Sequence, residues 1–164
     1  MITRANRDNL NEIMEVLKET VNSMNTEGLY QWNESYPNKN ILLNDIDKEE
    51  LFIKADGNRV KGFVVLNQLD DKDYNKLNWK HDVKESLIVH RLCVAPKFQG
   101  NGVAKELMEF IFEYAKINKY EAIRLDTSVE NTKSIGMYEK LGYVNVGIIN
   151  MKKGDYVCFE KSIS

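Results

Sequence analysis

The stretch Val94-Ala95-Pro96-Lys97-Phe98-Gln99-Gly100-Asn101-Gly102-Val103-Ala104 decides how this chain is read. An apolar run from Ser86 to Val94 ends at Pro96, and proline cannot donate a ladder hydrogen bond. Beyond the glycines, Val103, Leu107, Phe110, Ile111, Tyr114 and Ile117 recur at the spacing of an amphipathic helix. A buried strand therefore gives way to a helix whose first turn holds glycines. The first N–H groups of a helix lack internal partners, and the macrodipole places partial positive charge there. Such a terminus receives a pyrophosphate when no side chain blocks the backbone, a condition that Gly100 and Gly102 meet. The spacing fits neither the nucleotide P-loop nor the dinucleotide Gly-x-Gly-x-x-Gly pattern. Alone, it defines a helix terminus fit for an anion.

Working outward toward the N-terminus, Ile2 to Arg4 reads as a short strand. Leu10, Ile13, Met14, Leu17 and Val21 then mark a helix, with Asp8 placed to cap it. Tyr30 to Asn38 is an aromatic loop, and Ile41, Leu42, Asp45 and Ile46 form a second helical pattern ending before Leu51. Leu51–Ala55 and Val60–Leu69 make a hairpin around Asp56-Gly57-Asn58. Asp70 to Lys84 is polar and reads as a solvated loop. On the C-terminal side, Ala122–Asp126 is a strand and Asn131–Leu141 a helix. Tyr143–Ile149 and Tyr156–Lys161 are closing strands joined around Lys153-Gly154-Asp155. This order predicts one α/β (α+β) domain over residues 1–164, with a mixed, mostly antiparallel central sheet flanked by helices.

Bulk composition narrows the function classes. At 164 residues, 43% hydrophobic and 29% charged, the chain suits one globular domain. Its 23 basic and 25 acidic residues leave a net charge of −2, which argues against a nucleic-acid partner. No apolar run matches a secretory h-region or a membrane span, so a cytoplasmic protein with no membrane association is expected. Cys93 and Cys158 lack metal-ligand spacing, and no metal is expected. Cys93 sits inside the apolar strand, where burial raises a thiol pKa and makes it inert rather than nucleophilic. A homodimer is left open.

Two motifs together resemble the GCN5-related N-acetyltransferase (GNAT) family. Gln99-x-x-Gly102-x-Ala104, after Leu92-Cys93-Val94-Ala95-Pro96, is similar to its Arg/Gln-x-x-Gly-x-Gly/Ala signature. Asn131 to Tyr143 is similar to its Asn-x-x-Ala/Ser-x-x-Leu/Met-Tyr-x-Lys-x-Gly-Phe/Tyr block, one helix and one strand further on. The resemblance implies that Gln99, Gly100, Asn101, Gly102, Val103 and Ala104 hold the pyrophosphate of acetyl-coenzyme A. It also implies that the strand ending at Val94 splays from the one beginning at Ala122. Pantetheine would bond there to the backbone around Leu92, Cys93 and Val94, as an added strand does at a sheet edge. Asn131 would cap its helix and bond the coenzyme arm.

The same resemblance makes Tyr138 the general acid that protonates the departing thiolate. A backbone N–H at Val94 would stabilise the oxyanion. An alkylammonium with pKa near ~10 must lose a proton before it attacks, so a base is needed. Glu85 is the first choice, with His90, Asp126 or a water relay as alternatives. His81 reads as a satisfied histidine. Trp32 and Tyr36 lie where the family places its acceptor pocket, and packing of their loop explains them equally. The implied function is direct acetyl transfer from acetyl-coenzyme A to a primary amine on a small molecule or a protein. A non-catalytic acyl-coenzyme A sensor is the rival reading, against which Tyr138 stands.

Overall fold

A computed structural model describes residues 1–164 throughout. Strand β1 is Ile2–Arg4, β2 Leu51–Asp56 and β3 Arg59–Asn67; β4 is Ser86–Val94, β5 Ala122–Ser128, β6 Val144–Met151 and β7 Gly154–Ser162. The helices are α1 Leu10–Thr26, α2 Lys39–Asp47, α3 Val103–Ile117 and α4 Thr132–Lys140. The strands form one mixed sheet in the order β1-β2-β3-β4-β5-β7-β6. As expected, antiparallel pairing dominates, and β4 with β5 is parallel. That ladder runs only from Ser86↔Ala122 to Ile88↔Arg124.

The chain divides into two compact units, with the boundary falling inside β4 and inside α3. The first holds Met1–Leu66 and His90–Ile111. Its core joins Ile13, Val16 and Leu17 of α1 to Leu42 and Ile46 of α2 and to Leu51, Ile53, Phe63 and Val65 of the hairpin. The β2–β3 turn is a two-residue loop, since Asp56 pairs with Arg59, and Gly57 takes φ +61° there. Gly62 of β3 is required by crowding: a Cβ would lie 2.7 Å from the Cys93 carbonyl oxygen and 3.2 Å from Val103 and Leu107 side chains. Its bare backbone lets α3 settle directly on the strand.

The second unit holds Asn67–Val89 and Phe112–Ser164. Here β5 pairs with β7 along its whole length, and β7 with β6. One face of these strands is covered by the segment that reads as a solvated loop in sequence. It contains two short 3₁₀ turns, Lys72–Lys76 and Val83–Glu85. Tyr74 is 2% exposed and packs with Ile88, Ile149, Tyr156 and Cys158, flanked by Leu77 and Trp79. Leu77 sits so close over Gly147 of β6 that a Cβ there would meet it at 2.8 Å. The polar residues of this segment face outward, while three apolar ones bury enough surface to hold it down. A second departure is the cap before α1. Asp8 does not cap α1: it lies in a 3₁₀ turn, Arg7–Asn9, that Asn6 caps by accepting from the Asp8 N–H at 2.9 Å while Asn9 accepts from the Asn6 N–H.

Candidate active site

In the first unit, the turn from Ala95 to Ala104 begins as a 3₁₀ turn over Pro96–Phe98. Three short bonds succeed one another: Phe98 N–H to Ala95 O, Gln99 N–H to Pro96 O, and Asn101 N–H to Phe98 O. Gly100 and Gly102 hold φ +84° and +83°, where any other residue would be strained. Nothing lies within 4 Å of a Cβ built on either, so both face open space. The first bond of α3 runs from Glu106 N–H to Gly102 O. The N–H groups of Val103, Ala104 and Lys105 thus have no acceptor within the helix.

Gln99, Gly100, Asn101 and Gly102 are exposed. Arg59, Lys61 and Lys97 gather round Phe98, at 5.8, 4.9 and 5.8 Å from its ring centroid. Lys61 is paired with Asp56 at 2.5 Å, so Arg59 and Lys97 add the positive charge beside the turn. Gln99 Nε2 donates to the Val94 carbonyl at 3.2 Å and so ties the turn to the end of β4. Leu92 and Val94 are half-buried. Cys93 is buried and donates its S–H to Thr20 Oγ1 at 3.2 Å. Burial pushes its thiol up to about 12, the direction that disfavours a thiolate.

Trp32 is buried in the core of this unit, whereas Tyr36 is half-buried against it. The Tyr36 hydroxyl accepts from Arg91 Nη1 at 2.9 Å. Arg91 Nε and Nη2 donate to the two carboxylate oxygens of Asp45 at 2.9 and 2.8 Å. Sequence reading missed this group. Its signal is Asp45 inside the apolar pattern of α2 and Arg91 inside the apolar run of β4.

In the second unit, Asn131 caps α4, accepting from the Ser134 N–H at 3.2 Å. The other end of α4 closes in a Schellman motif: Gly142 N–H bonds Glu139 O and Tyr143 N–H bonds Tyr138 O, with Gly142 at φ +86°. Lys161 Nζ also donates to the Leu141 carbonyl. This closure fixes Tyr138, whose ring packs at 5.8 Å from Tyr143 and 5.7 Å from Phe159. Burial, then the charge of Asp126, holds the Tyr138 phenol well above its ordinary value.

Asp126 of β5 is half-buried and accepts from the Tyr74 hydroxyl at 2.6 Å. Burial raises its carboxyl to about 6, an effect opposed by the Tyr74 bond and reinforced by Asp71. Tyr74 is itself pinned by Trp79, whose Nε1 donates to the Tyr74 carbonyl at 2.8 Å. Glu85 is exposed ahead of β4. A hydrogen bond and like charge shared with Glu121 raise its carboxyl, with desolvation and Asp82 adding to them. His81 is satisfied by Ser162 Oγ at 2.8 Å, and His90 lies half-buried on β4.

The strand order, with its one parallel pair, matches the fold of solved GNAT acetyltransferases. The chain belongs to the Acetyltransferase (GNAT) family, whose profile matches residues 13–143. It is similar over 99% of its length to a GNAT acetyltransferase from Streptococcus agalactiae, of which it covers 94%, with a TM-score of 0.86 and 23% identity. An N-acetyltransferase from Thermoplasma acidophilum, solved in complex with coenzyme A, superposes with a TM-score of 0.74 at 17% identity, covering 99% and 98% of the two chains. N-acetylaspartate synthetase of Xenopus tropicalis is 33% identical over 61 residues, 37% of this chain. The chain spans only 22% of that relative's length.

Proposed function

We propose that this chain moves the acetyl group of acetyl-coenzyme A to a primary amine by direct transfer in a ternary complex, residues 1–164 acting as one transferase domain. Family membership and the coenzyme A bound to the Thermoplasma acidophilum relative support the donor. The turn leading into α3, with its outward glycines and with Arg59 and Lys97 beside Phe98, suits the coenzyme's phosphates. The backbone of Leu92, Cys93 and Val94 would take the pantetheine arm, and Asn131 would hold it further on.

The catalytic part is carried by the seating of two groups: Tyr138, packed against Tyr143 and Phe159, and Asp126, held by the Tyr74 hydroxyl at 2.6 Å. One is a phenol kept protonated by burial; the other is a carboxyl raised toward neutrality. Burial raises both: the phenol stays a proton donor and the carboxyl comes nearer the operating pH, which suits an acid and a base. Asp126 takes a proton from the ammonium, and the freed nitrogen attacks the thioester carbonyl. A backbone N–H at Val94 holds the oxyanion, the C–S bond breaks as the amide forms, Tyr138 protonates the thiolate, and the surplus proton on the new amide nitrogen restores the Tyr138 phenol. Asp126 fits the base better than Glu85, whose raised pKa comes from Glu121 and not from the neighbourhood of Tyr138. The burial of Cys93 and Cys158 supports direct transfer over a cysteinyl acyl-enzyme.

The acceptor is an amine of a small molecule or a protein, with Tyr36 placed on its loop. Thiol release from acetyl-coenzyme A, followed across a panel of amines, peptides and proteins, tests the proposal. Amine-dependent release that is lost in Tyr138→Phe supports transfer. Coenzyme A binding with no release for any amine favours the sensor reading.

A further inference from the structure

Arg91 is a left-handed residue in the middle of a strand, with φ +50°. An arginine there is strained, because its Cβ crowds its own backbone. A residue with positive φ also breaks the two-residue alternation of a strand and re-aims the residues after it. In β4 those residues are Leu92, Cys93 and Val94. The strain is opposed by three bonds from one guanidinium. Two reach Asp45 on α2, which is 3% exposed, and one reaches Tyr36 on the preceding loop. The Arg91 guanidinium also lies 5.9 Å from the Tyr36 ring centroid. An ion pair this buried adds little to stability compared with apolar residues of the same volume. Its geometric effect is specific: it joins the loop, α2 and β4 at one atom cluster.

We infer that Asp45 and Tyr36, acting through Arg91, hold β4 in the kinked form that presents its Leu92–Val94 backbone, so that the Tyr36 loop and coenzyme binding are linked. Asp45 and Arg91 are positioning residues here. The inference rests on the transferase reading and adds to it a coupling between the acceptor loop and the coenzyme strand.

Calorimetric titration of the full chain with coenzyme A tests it. Glycine occupies positive φ as readily as negative, whereas alanine resists it. Arg91→Ala should weaken coenzyme A about tenfold, and Arg91→Gly no more than about threefold, although both lose the guanidinium. Tyr36→Phe, which keeps the pair with Asp45, should lose about twofold. The paired change Asp45→Leu with Arg91→Met removes the buried charges together, so its melting temperature should stay near the wild type while coenzyme A weakens about tenfold. Equal affinities for Arg91→Ala and Arg91→Gly would overturn the kink. So would a paired variant that binds within about twofold of wild type. Should the paired variant not fold, the alanine and glycine comparison decides. A wild-type chain giving no heat with coenzyme A overturns the transferase reading, and this coupling with it.

Discussion

Burial raises both Tyr138 and Asp126 above their ordinary values, with different consequences for each. Desolvation keeps the phenol protonated through the whole working range, so Tyr138 can donate at any pH at which the chain is folded. Tyr138→Phe should lower kcat by about 10²–10⁴-fold and leave the coenzyme A dissociation constant unchanged, as single-turnover kinetics beside calorimetry would show. For Asp126 the same upward shift limits the active form. Its carboxyl stands at about 6 in the folded chain, above the ordinary 3.8. Above pH 6 the deprotonated form is active, so kcat/KM should fall as the pH drops through about 6. Folded protein binds this proton more tightly than unfolded protein, so the group lowers stability as pH rises from about 4 through 6. Asp126→Asn should therefore raise the melting temperature at a pH of about 7.5 while abolishing transfer. Tyr74→Phe removes the bond that favours the charged carboxylate, and the acid limb of the rate profile should move upward.

At the scale of elements, the site depends on how α3 and α4 are seated. Gly62→Ala would force a Cβ against the Cys93 carbonyl and the first turns of α3. The expected loss is about 1–3 kcal/mol in urea unfolding, with weaker coenzyme A binding because the helix start moves. Both motif-bearing elements were legible in the sequence for physical reasons. Glycines at positive φ and a Schellman closure leave local signatures in Gly100, Gly102 and Gly142-Tyr143. The seating of Asp126 was not legible. Its partner Tyr74 comes 52 residues earlier, in a segment whose many charges hide three anchoring apolar residues. Arg91 escaped notice for a related reason, since a guanidinium that finds a buried carboxylate on another element leaves no periodic trace. The cap at Asn6 was misread by two residues because Asn and Asp are equally good caps.

At the scale of the whole molecule, the turn at Gln99–Ala104 lies in the first compact unit, and Asn131 and Tyr138 lie in the second. With saturating coenzyme A, the proposed transferase should show slower hydrogen exchange at residues 92–106 and at 131–141. Protection confined to the first range would remove Asn131 from the coenzyme. At a hundred times the dissociation constant the ligand should add about 2.7 kcal/mol, visible as a rise in melting temperature. The buried cysteines have a practical consequence for such work. Cys93 and Cys158 are 2% and 0% exposed, and burial raises both thiols. A colorimetric disulfide reagent added to the folded chain would find neither. Every equivalent of colour in a turnover experiment would then count a coenzyme molecule released, and the moment the protein's own two sulfurs began to register would mark unfolding.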